Sequence, residues 1–268
     1  MKIKKNKQIP VKFIAIHKNN KNLLFTILLS AALFNCQNAN KLAKLGLKNL
    51  EQGKKITALK YFEEALDSNK KNPLALYGKG KIMIESSLTL NLGQKLIESS
   101  LPKLDKEYVT DAILSLGKSY ASTNLYNKAM QILEKAISEG NHAPEIYMDL
   151  SFYYIQTLEK NQARNILLKG IQANPKSDRL YITLSSMDLK YFNDHYSAIS
   201  SLEKAYQIDK TNQDTVKSIA VLYYKVGNAA KAVEYLKILK DLQIDNNEKL
   251  NTEKIILQAQ SGQWKINQ

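Results

Sequence analysis

The chain has 268 residues, of which 24% are charged, and only ten glycines, five prolines and one cysteine. So few turn-formers argue against a sheet-rich fold and for helices, and one cysteine excludes an internal disulfide and a Cys/His metal cluster. The formal net charge of +14 overstates any affinity for polyanions, because seven of the lysines and no acid precede residue 36, and nucleic-acid readers favour arginine forks, of which only Arg164 and Arg179 could serve.

Residues 1–22 are basic, with Lys2, Lys4, Lys5, Lys7, Lys12, Lys18 and Lys21. They are followed by LLFTILLSAALF, an uncharged stretch from Leu23 to Phe34. A membrane-spanning helix needs about 20 apolar residues. This stretch is shorter and has the length of a secretory signal's apolar core. The sequence Leu33-Phe34-Asn35-Cys36 resembles a bacterial lipoprotein box, with an aliphatic residue three places before the cysteine; Asn35 stands where Gly or Ala is usual. The resemblance implies a signal peptide over 1–35, a diacylglycerol on Cys36 and a mature chain of 36–268; an uncleaved membrane anchor and an ordinary secreted protein are the alternatives. Two or three acyl chains anchor almost permanently. The expected location is the bacterial cell envelope, lipid-anchored on the periplasmic side or to the outer membrane, and the absence of Asp after Cys36 fits onward sorting to the latter.

From residue 39 a pattern recurs with a period of about 34. Leu116, Gly117 and Tyr120 are followed by Ala129, Leu133 and Ala136; one period later come Leu150, Ser151 and Tyr154, then Ala163, Leu167, Gly170 and Pro175. Leu45 and Gly46 lead to Ala58, Phe62 and Ala65, and Ile219, Ala220 and Tyr223 lead to Ala232 and Leu236. The units through Gly80, Gly93, Ile97 and Ser100, and through Leu184, Ser185, Ala198, Leu202 and Ala205, are slightly longer. Small residues where two helices cross let their backbones approach, and larger neighbours fill the grooves. Short helices of this kind are marginal alone and are stabilised by stacking on neighbours.

This pattern is similar to the tetratricopeptide repeat (TPR). The resemblance implies an all-α, right-handed α-solenoid of about six helix-turn-helix repeats, over 39–72, 73–109, 110–143, 144–177, 178–212 and 213–246. A C-terminal capping helix follows at 247–262, with Leu250, Ile255, Ile256 and Leu257 as its apolar residues.

No glycine-rich phosphate loop, G-x-S-x-G or paired histidines at ligand spacing is present. His17, His142 and His195 are far apart. The chain is therefore not expected to be an enzyme, and no catalytic residue, metal or cofactor is assigned. The tyrosines recur at repeat positions, which points to packing before base or sugar stacking.

In the TPR family the first helices of successive units line a concave groove. Carried over residue by residue, its slots here are Tyr77, Lys81 and Ile84; Leu114 and Lys118; Met148, Phe152 and Ile155; Ile182, Ser186 and Leu189; and Lys217, Val221 and Tyr224. The middle of this groove reads as an apolar strip with lysine margins, and large exposed apolar patches mark binding sites. The resemblance thus implies a membrane-anchored scaffold that holds an extended or helical segment of an unidentified protein partner, and no nucleic acid. A terminal helix or a second copy of the chain covering the strip is an alternative. So are a structural role in an envelope or outer-membrane assembly machine and the binding of a small ligand or cell-wall fragment.

Overall fold

The computed structural model describes residues 36–266, which are helical hairpins joined by short turns, with no strand among the described residues. In chain order the helices are α1 (36–51), α2 (Lys55–Ser68), α3 (Pro73–Met83), α4 (Leu90–Ser100), α5 (Lys106–Ala121), α6 (Tyr126–Ser138), α7 (Pro144–Gln156), α8 (Lys160–Ala173), α9 (Asp178–Phe192), α10 (His195–Ile208), α11 (Gln213–Lys225), α12 (Ala229–Leu242) and α13 (Asn246–Gln260). This is an all-α solenoid architecture, as the small-residue pattern implied. Two units divide the chain within α5, one ending at Ala112 and the other beginning at Ile113.

Local chemistry sets the helix ends. The Asn72 side chain accepts from Ala75 N–H, with Pro73 at the first helical position of α3. Asp194, Asn212, Asn228 and Asp245 cap α10, α11, α12 and α13 in the same way. Each cap satisfies a backbone N–H that has no partner inside the helix. The turns inside hairpins pass through the left-handed region at Gly53, Asn124, Leu158, Asn193 and Gly227.

In the first unit, the ring of Phe62 lies between α1 and α3. A Cβ placed on Gly46 or Gly78 would fall 2.4 or 2.2 Å from that ring, so glycine is required on both sides. Helices α3 and α4 approach at Gly80 and Gly93, where a Cβ on either residue would lie 2.9 Å from the other's carbonyl oxygen. A 3-10 turn, Leu101–Lys103, follows α4, which accounts for the irregular spacing of this stretch in the sequence.

In the second unit, one cluster gathers Tyr147, Ala163, Leu167, Leu180 and Leu184 from α7, α8 and α9. Another gathers Ala198, Leu202, Ile219, Ala220 and Leu236 from α10, α11 and α12. Ala129, Ala163 and Ala232 are fully buried, as residues at helix crossings must be. Gly117 is buried too, but its crossing is looser than the pattern suggested: a Cβ there would find its nearest neighbour at 3.7 Å. α13 covers the end of α12 with Thr252, Ile256 and Ala259. The expected apolar face of this helix is corrected, since Leu250 and Leu257 are exposed. The rotation follows from Thr252, which is drawn inward by donating to Gln243 Oε1 at 2.8 Å.

Candidate partner-binding face

In the first unit, α1, α3 and α5 surround a cleft of about 350 Å³ lined by Leu47, Leu50, Glu51, Tyr77, Lys81, Tyr108 and Asp111. Both Tyr77 and Lys81 donate to the Asp111 carboxylate, Lys81 at 2.6 Å. The Lys81 ammonium also lies 5.5 Å from the Tyr77 ring centroid. Burial, reinforced by the hydrogen bond to Asp111, drives the Tyr77 hydroxyl pKa well above its ordinary value. Sequence placed Tyr77 as a side chain offered to a partner; it is instead buried, with its hydroxyl donating to the exposed Asp111 carboxylate. Lys81 is half-buried and paired, and Ile84 is half-buried at the end of α3.

In the second unit the corresponding face runs over the end of α5 and over α7, α9 and α11. The expected positions fall on one face of each helix because residues three and four apart are neighbours there. Phe152 is 54% exposed and meets Tyr153 edge-on, with ring centroids 5.8 Å apart. Met148 is half-buried against the first cluster, and Ile182 and Leu189 are half-buried against the second. Leu114 and Val221 are half-buried, and Lys118, Ser186 and Lys217 are exposed. Ile155 is buried in the core, which corrects its assignment as a partner contact. Phe152 is therefore the main exposed apolar anchor, and the continuous strip expected from sequence is interrupted.

Charged pairs interrupt it. Lys118 Nζ on α5 lies 3.5 Å from Asp149 Oδ2 on α7, and Arg179 on α9 pairs with Glu145 on α7. Burial raises the Asp149 carboxyl above the usual carboxylate range, with the Lys118 ammonium offsetting part of the rise. Asp149, Glu145 and Arg179 were missed by the sequence reading. The available signal was opposite charges near the repeat spacing, 31 residues apart at positions 118 and 149 and 34 apart at 145 and 179.

The last station of the face is covered by the chain itself. Trp264, beyond α13, stacks obliquely on Tyr224 of α11 with ring centroids 5.0 Å apart. Its backbone N–H donates to the Tyr224 hydroxyl at 3.1 Å. Tyr224 is accordingly half-buried rather than open to a partner.

The two histidines among the described residues have structural partners: His142 Nδ1 lies 2.8 Å from the Tyr147 hydroxyl, and His195 Nδ1 lies 3.2 Å from Asn193 O. Among the described residues no group of three or more His, Cys, Asp or Glu is placed to hold a metal, and no helix is long and apolar enough to cross a membrane. Cys36 is exposed at the start of the described chain. The signal segment, residues 1–35, lies outside the described residues.

A family model described as tetratricopeptide repeat matches residues 122–186. Among solved structures, PilF of Pseudomonas aeruginosa superimposes with a TM-score of 0.58 at 16% identity, covering 82% of this chain and 98% of its own. A tetratricopeptide repeat protein from Parabacteroides merdae superimposes with a TM-score of 0.54 at 17% identity, covering 84% of this chain and 88% of its own. At such identities the likeness is one of fold. No curated protein matches the sequence.

Proposed function

We propose that the chain, whose residues 122–186 match a tetratricopeptide repeat model, is a binding scaffold without catalytic activity that holds a segment of another protein against the α7–α9–α11 face. The observation that carries this reading is Phe152, a large aromatic side chain left 54% exposed at the middle of a helix whose neighbouring apolar residues are all partly covered. An aromatic residue in that setting supplies the kind of central anchor that dominates protein interfaces. The flanking pairs, Lys118–Asp149 and Glu145–Arg179, would form the polar rim and set the register of the bound segment.

The scaffold works at a bacterial envelope membrane, tethered by acyl chains on Cys36. Support for the tether is the apolar stretch Leu23–Phe34 and the box ending at Cys36, together with the exposure of that cysteine.

A photo-crosslinking residue in place of the exposed Ser186 of α9, on the same face as Phe152, tests the binding face in intact cells. It should trap one predominant protein, and Phe152→Asp should lose that partner while helical circular dichroism stays unchanged. Undiminished capture by the Phe152→Asp chain would remove this face from the mechanism. Metabolic labelling with a fatty acid, lost on Cys36→Ser, tests the tether separately.

A further inference from the structure

Within the second unit, the turns inside hairpins share one edge and the turns between hairpins share the other. On the first edge, Tyr126 and Tyr153 bring the α5–α6 and α7–α8 turns together, with ring centroids 6.2 Å apart. Lys160 lies over the Tyr191 ring and Arg164 over the Phe192 ring, each 5.9 Å from the centroid, which joins the α7–α8 turn to the α9–α10 turn. A cleft of about 460 Å³ is lined by Phe192, His195 and Tyr196 from one side and Lys225 and Val226 from the other, joining that turn to α11–α12. On the opposite edge, Asn174 Nδ2 donates to His142 O at 2.7 Å and Gln213 Nε2 to Leu242 O at 3.2 Å.

The two edges differ in charge. The edge of the intra-hairpin turns, taken three residues into each flanking helix, carries Lys128, Lys160, Lys190, Lys225 and Lys231 against Glu159 and Asp194, while Arg164 beside it is paired with Asp188. On the other edge, counted the same way, eight acids from Glu139 to Glu248 stand against four bases. The basic edge also carries a row of exposed apolar side chains, Leu125, Leu158 and Tyr196, the last two 83% and 73% exposed. The acidic edge exposes Ile208 and Ile244.

Leu158 is the informative member of the row. Its φ is +65°, in the left-handed region where the equivalent turn positions use Asn124, Asn193 and Gly227. A leucine there bears backbone strain and, being exposed, gains no burial in return. Strain that folding does not require points to a use elsewhere.

We propose that this edge lies on an anionic lipid surface, with Leu125, Leu158 and Tyr196 entering the headgroup region and the flanking lysines facing lipid phosphates. Apolar residues set among Lys and Arg are what interfacial membrane binding uses, and attraction to anionic lipids acts within a Debye length of about 8 Å at physiological salt. The opposite edge would be repelled, so the charge asymmetry fixes the orientation of the unit. The proposal is compatible with the tether proposed above but rests on the edge itself.

The full chain carries one tryptophan, Trp264, so W264F gives a background free of tryptophan. Reporters are then placed by Y196W on the basic edge and by I244W on the acidic edge. Each chain is mixed with vesicles of phosphatidylcholine, alone or with phosphatidylglycerol, containing brominated acyl chains. The Y196W emission should be quenched severalfold more than that of I244W in the anionic vesicles. The difference should shrink in high salt and on adding L158N, whose helical content should not change. Equal quenching at the two edges, or none at position 196, overturns the proposal. Flotation of the Cys36-acylated chain with neutral vesicles reports on the tether independently. A chain that floats without quenching at position 196 refutes the edge alone, whereas one that floats only with anionic vesicles and is quenched there refutes the tether alone.

Discussion

Gly80 and Gly93 meet backbone against backbone: a Cβ on Gly93 would stand 2.9 Å from the Gly80 carbonyl oxygen and 2.7 Å from the backbone nitrogen of Ile84. Backbone atoms cannot move aside as a side-chain tip can. Gly93→Ala should therefore separate α3 from α4 and cost about 2–3 kcal/mol, the scale of an overpacked core. Gly117 is the contrast, with nothing closer than 3.7 Å to an added Cβ. Gly117→Ala should stabilise by about 0.5–1 kcal/mol, the helix-propensity difference. Urea unfolding of the two variants checks both signs.

Asp188 has a side chain only 1% exposed and receives Arg164 Nε at 2.7 Å. Removing the cation leaves a buried carboxylate without its counter-charge. Arg164→Met should cost about 3 kcal/mol, as breaking one side of a buried pair does, while Arg164→Met combined with Asp188→Leu should recover most of the loss. Thermal unfolding of the single and double variants decides this, and a double variant as unstable as the single one would refute it.

Leu158 bears strain without burial. Leu158→Asn, which tolerates the left-handed region, should raise stability by about 0.5–1 kcal/mol. Denaturant unfolding measures the gain, and a loss of stability would mean that Leu158 contributes to the fold after all.

Trp264 reports on the end of the binding face. Tyr224→Ala should shift its emission to longer wavelength as the indole gains water, with a loss of about 0.5–1.5 kcal/mol from the missing aromatic pair. A partner segment that reaches α11 must displace Trp264 and should produce the same shift.

Alkaline pH should destabilise the second unit in a defined window. The Tyr154 hydroxyl donates to Glu134 and that bond raises its pKa to about 12; burial and a bond to Glu203 raise Tyr223 to about 12 as well. An unfolded tyrosine ionises near 10.0. Because the folded values are raised, this stabilisation is complete below pH 10 and is lost as pH rises toward about 12. Tyrosinate absorbance and helical circular dichroism should change together across that interval. Glu134→Gln should shift the tyrosinate titration downward, because the neutral amide no longer repels the phenolate.

The sequence by itself determined the helical class, the hairpin period and the buried small residues at 129, 163 and 232, because the 3.6-residue spacing of apolar side chains and the need for close helix crossings are local constraints. It also placed Phe152 on an exposed face of α7. Only the tertiary structure decided how much of that face remains open. Whether Ile155 or Tyr77 is covered depends on how closely the next hairpin approaches. The Lys118–Asp149 and Glu145–Arg179 pairs, the return of Trp264 onto Tyr224 and the division into a basic and an acidic edge all join residues from different helices. Local pattern carries no distance between such residues, so contacts of this kind arise from stacking and can be read only once the helices are in place.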